Sequence, residues 1–86
     1  MDIKVQYVGT KFYDCLHANR EVYAYAITTP KGKMEGNILS YTKNITPYDV
    51  LPQLIQAVKW GDNFILDGLK SIFAENELDE LLGGIL

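Results

Sequence analysis

Near residue 45 the hydrophobic pattern of this chain changes period, and that switch fixes the class of fold open to it. Before it, apolar residues alternate with period two, as in Ile3-Lys4-Val5-Gln6-Tyr7-Val8 and Val22-Tyr23-Ala24-Tyr25-Ala26-Ile27. After it they recur at helical spacing, as in Leu51, Leu54, Ile55 and Val58. Strands followed by helices, in one short chain, predict an α+β domain.

The first strand runs from Ile3 to Val8 and is expected to stop at Gly9, with Phe12 to His17 as a second, short candidate. The polar cluster Ala18-Asn19-Arg20-Glu21 then turns the chain into Val22–Thr29, rich in aromatic and β-branched residues. Thr29-Pro30-Lys31-Gly32-Lys33 reads as a hairpin turn, since proline presets φ and Gly32 can adopt a left-handed conformation. Met34–Tyr41 returns, weakened by Gly36. The result is an antiparallel meander.

Thr46 is a good helix N-cap, Pro47 fits the first helical position, and Asp49 can reach back to the cap. Pro52 conflicts with a helix starting there, because it removes a backbone hydrogen bond. A distorted first turn and a regular helix from about Pro52 to Trp60 are expected, ended by Gly61. Phe64–Phe73 has two readings: a hairpin through Asp67-Gly68, or one strand at Phe64–Leu66 followed by the last helix. Asn76–Leu82 reads as helical, with Leu78, Leu81, Leu82 and Ile85 on one side and Gly83-Gly84 ending it.

The expected fold is therefore a single domain over residues 1–86. It has an antiparallel sheet of three to five strands, one central helix on one face and a short C-terminal helix. At 86 residues, with 48% apolar and 22% charged, the chain can build one core but not a deep enclosed active site. Cys15 is the only cysteine, which excludes an internal disulfide. The opening residues lack a basic segment followed by an apolar run, and no apolar run approaches membrane-spanning length, so a cytoplasmic location and no membrane partner are expected.

Chemistry-bearing motifs are sparse. Neither a dinucleotide-binding nor a P-loop glycine pattern occurs. Cys15 and His17, two apart on a presumed strand face with Asp14 beside them, form the only candidate catalytic trio. A zinc site needs three or four ligands, and the chain has no other Cys or His. No metal, cofactor or enzymatic activity is expected.

Charge is uneven. Residues 61–86 hold six acids and one lysine, whereas residues 1–60 hold seven basic residues and five acids. Four of those acids, Glu75, Glu77, Asp79 and Glu80, crowd the last helix and suit a protein partner with a basic surface. Tyr23 and Tyr25 share a strand face with Ile27, and the small residues Ala24 and Ala26 take the other. If the helix packs on the small face, the tyrosines are left exposed as contact residues; with the faces inverted, they are half-buried in the core. An aromatic sheet could also stack single-stranded nucleic acid, but a net charge of −3 argues against direct nucleic-acid binding.

The expected function is a non-enzymatic protein-interaction module with an acidic and tyrosine-bearing surface. Acidic domains of this size without catalytic motifs are the kind that phages and mobile elements encode as inhibitors, docking on a host enzyme or its nucleic-acid-binding groove. Two alternatives stand beside it. One is a small enzyme or ligand-binding domain with its pocket at a homodimer interface. The other is a structural or assembly subunit.

Overall fold

The structure, a computed structural model, describes residues 1–83. Three strands, β1 (Asp2–Tyr13), β2 (Ala18–Thr29) and β3 (Gly32–Ser40), precede three helices, α1 (Pro47–Lys59), α2 (Asn63–Ile72) and α3 (Glu75–Leu81). The sheet order is β1-β2-β3, and both pairs are antiparallel. α1 lies against β1, α2 against β3, and α3 against α2, so two helices rather than one cover the sheet. No helix among the described residues is long and apolar enough to cross a membrane.

β1 does not stop at Gly9. It continues to Tyr13 through a bulge that skips Val8, pairing Tyr7 with Tyr23 and Gly9 with Val22. The turn into β2 lies earlier than the polar cluster indicated. A 3-10 turn, Asp14–Leu16, ends at His17 in the left-handed region (φ 50°), and Ala18–Glu21 already belongs to β2. Because β3 pairs with β2 only as far as Glu21, the β1–β2 hairpin projects past the three-stranded sheet.

At the start of α1 the Asp49 carboxylate accepts hydrogen bonds from the Thr46 N–H (2.8 Å) and hydroxyl (3.0 Å), the expected reach back to the cap. The helix then runs unbroken from Pro47 to Lys59 with Pro52 inside it. Pro52 is exposed, so the Tyr48 carbonyl that loses its partner borders solvent.

Residues 64–73 form neither a hairpin nor a strand. Asp62 caps α2 by accepting from the Ile65 N–H (3.0 Å), and Ile65, Leu66, Leu69, Ile72 and Phe73 fall on one helical side. The Asp67-Gly68 turn signal is overridden by packing. A Cβ at Gly68 would sit 2.7 Å from the Met34 Cε, so the glycine leaves the room that the Met34 side chain takes between α2 and β3. The C-terminus of α2 is tied to the hairpin turn: Thr29 donates its hydroxyl to the Ile72 carbonyl, and the Lys31 ammonium donates to the Phe73 carbonyl at 3.1 Å.

The core lies between the sheet and the helices. Tyr23, Tyr25, Ile27, Met34 and Ile38 face Val50 and Leu54 of α1, Leu69 and Ile72 of α2, and Leu78 and Leu82. Of the two face assignments open to this strand, the one that exposes the tyrosines does not hold. Tyr23 and Tyr25, 3% and 4% exposed, point under the helices, and Ala24 and Ala26 lie on the uncovered face. The physical reason is volume: two helices standing off a three-stranded sheet leave a gap that alanines cannot fill and tyrosines can. Leu78 and Leu82 are core residues, as expected, and Leu81 is half-buried. Ile85, assigned to the same side, lies outside the described residues.

Candidate functional site

The four acids of the last helix do not form one patch. Helical spacing puts Glu75 and Asp79 on one side, where they border a shallow depression with Lys31 and Lys70. Glu77 and Glu80 fall on another side, beside Thr29, Lys31 and Leu81. Glu77 is also a structural group, since its carboxylate accepts from the Ala74 N–H (3.1 Å) and caps α3. Cys15 and His17 sit on the exposed 3-10 turn rather than along a strand. Among the described residues, no group of three or more His, Cys, Asp or Glu is arranged to hold a metal ion.

With Tyr23 and Tyr25 withdrawn into the core, the aromatic surface lies elsewhere. Tyr41, Trp60, Phe64 and Tyr48 are 83%, 81%, 85% and 90% exposed. Tyr41, just after β3, and Trp60, at the C-cap of α1, line one groove, and Phe64 lies in the first turn of α2. Tyr48 stands apart, on the first turn of α1 near Met1 and Ile3.

Tyr41 and Trp60 line an open groove of about 640 Å³. Its apolar floor includes Ile38, Leu54 and Ile65, and its polar lining includes Arg20, Gln53, Gln56 and Asp62. Tyr41 is held in place despite its exposure. The Arg20 guanidinium stacks 4.1 Å from the ring centroid, donates to the Tyr41 hydroxyl at 3.2 Å, and is itself anchored on the Asn19 carbonyl at 2.9 Å. On the strand side, Gln53 Nε2 donates to the Leu39 carbonyl at 3.3 Å. Asp62 also acts inward: burial holds the Tyr25 phenol above its ordinary value of 10.0, and the nearby Asp62 charge adds to the rise.

The sequence carried a signal for this surface. The inward stripe of α1 runs through the buried Val50 and Leu54 and the half-buried Val58, and at 100° per residue Trp60 falls on the opposite side. Phe64 is similarly off the stripe of α2. Helical periodicity thus marks both as outward.

A second polar cluster braces the projecting hairpin. The Tyr7 and Thr10 hydroxyls both donate to the Glu21 carboxylate, and Tyr7 packs edge-on against Tyr23 with centroids 5.3 Å apart. The Tyr7 hydrogen bond is the main cause that holds Glu21 below its ordinary 4.5, opposed by desolvation and helped by Thr10 and Lys43. A lowered folded-state value means that this contribution is complete above about pH 4.5 and is lost as pH falls through the folded value. Tyr7→Phe is expected to raise the Glu21 value toward 4.5, read by NMR titration of its carboxyl carbon; an unchanged titration would refute the assignment.

No protein-family model, curated protein or solved structure matches this chain.

Proposed function

We propose that this domain is a non-enzymatic protein-interaction module whose contact surface is the groove between Tyr41 and Trp60. The supporting observation is where the aromatic residues stand. A domain of 86 residues has few large side chains to spend on its core, yet its only tryptophan and a guanidinium-braced tyrosine face solvent across one groove. Trp, Tyr and Arg are the residue types that dominate binding energy at protein interfaces, and the two aromatics supply large area at little entropic cost.

The acidic residues belong to a different part of the molecule. α3 packs at the Gly32 end of β3 and Trp60 at its Ser40 end, so about 27 Å of strand separates them. That exceeds the screening length of about 8 Å at physiological salt. A second reading, in which Glu75 and Asp79, the pair on one side of α3, meet a basic groove of an enzyme and block it, therefore rests on a separate surface. It predicts affinity that falls with added salt.

Isolating the partner from the native source and titrating it with wild type and with the Tyr41→Ala/Trp60→Ala double variant tests the principal reading. Affinity is expected to fall about a hundredfold or more, with a drop of only a few degrees in melting temperature from the lost Arg20–Tyr41 contact. Equal affinity of the two proteins would overturn it.

A further inference from the structure

The face of the sheet that the helices leave uncovered carries a charge pattern complementary to itself. Cross-strand register sets its side chains in rows: Asp2, Thr28 and Lys33; then Lys4, Ala26 and Glu35; then Gln6, Ala24 and Asn37. Ion pairs along the strands, Asp2–Lys4 at 3.9 Å and Lys33–Glu35 at 3.5 Å, join residues two apart and so lie on this same face. Down the rows, β1 presents an acid and then a base, while β3 presents a base and then an acid. All four side chains are exposed. Their charges cancel, so this face is neutral in a chain of net charge −3.

We propose that this face packs against the same face of a second copy of the chain, about a two-fold axis running close to β2, in addition to the partner contact at Tyr41 and Trp60. Such an axis keeps each row at its own height and exchanges the two edges, so β1 of one copy lies over β3 of the other. Asp2 then meets Lys33 of the second copy, Lys4 meets its Glu35, and Gln6 meets its Asn37. Symmetry repeats every contact. An axis across the strands would match the charges only if centred between the first two rows, which leaves the Gln6 row and the Val22–Leu39 pair uncovered.

The middle of the face suits this approach. Ala26 and Ala24 stand between the charged edges. Two twisted sheets close most tightly at their centres and splay at their corners, where long side chains reach across. A shallow depression of about 660 Å³, lined in part by Lys4, Gln6, Ala24, Ala26 and Glu35, lies at this place. Three strands about 4.8 Å apart, over residues at about 3.3 Å each from Asp2 to Val8, give a footprint of about 14 by 23 Å. That is small for a specific interface, so association is expected in the micromolar range.

Sedimentation equilibrium of the full chain tests the proposal. The wild type is expected to pass from monomer to dimer between about 1 μM and about 1 mM. Lys4→Glu sets an acid against Glu35 of the second copy, and Glu35→Lys sets a base against its Lys4. Each is expected to weaken dimerisation about a hundredfold or more, because symmetry repeats the clash, with an unchanged circular dichroism spectrum because both side chains are exposed. Mixing the two variants in equal amounts restores every opposite-charge contact and is expected to restore the dimer. Wild type that stays monomeric at millimolar concentration, whether or not another macromolecule takes this face, overturns the proposal. So do a dimer that tolerates both reversals and a mixture of the variants that stays monomeric.

Discussion

Tyr25→Ala is expected to destabilise the domain by about 3–5 kcal/mol, the range for removing a large aromatic from a packed core. The ring lies flat over Gly36 of β3: a Cβ at that glycine would come within 3.1 Å of three atoms of the Tyr25 ring and hydroxyl. Around it close Val5 on the neighbouring strand and the helices above. An alanine leaves a cavity that a glycine-floored site cannot refill. Since domains of this size have a total stability of about 5–15 kcal/mol, much of the margin disappears. Urea denaturation followed by circular dichroism measures it. If Tyr25 were instead an exposed contact residue, the change would stay within about 0.5 kcal/mol.

Leu69 and Phe64 make the second contrast. Leu69 is fully buried at the middle of α2, while Phe64, the larger side chain, is 85% exposed one turn and a residue earlier. Leu69→Ala is expected to cost about 2–5 kcal/mol, and Phe64→Ala about 0.5 kcal/mol or less. The pair also separates the observed helix from a hairpin through Asp67-Gly68. In a hairpin the two residues are five apart in an alternating pattern, across the turn from each other, and no such large difference is expected. Denaturant midpoints of the two variants decide between them.

Much of this architecture was legible in the sequence where local chemistry and periodicity agree. Thr46, Pro47 and Asp49 marked the start of α1, and Pro30-Lys31-Gly32 marked the β2–β3 turn. The leucines of α3 were recognisable as core residues. What was not legible depended on tertiary contact. Gly9 reads as a strand end but pairs on beyond a bulge at Val8, and Gly68 reads as a turn but leaves room for Met34. A single strand with tyrosines on one side and alanines on the other does not say which side meets the helices. That was decided by the number of helices stacked above it and the gap they leave. The functional consequence is direct: the tyrosines named from sequence are core, and the contact aromatics are those that fall off the helical stripes.

Hydroxyl-radical footprinting of the native protein, read residue by residue by mass spectrometry, tests this reassignment most directly. Among the aromatic residues, Tyr41, Tyr48, Trp60 and Phe64 are expected to oxidise fastest, with Tyr23 and Tyr25 protected until the protein is unfolded. Oxidation of Tyr23 or Tyr25 at the rate of Tyr48, with Trp60 protected, would contradict the account.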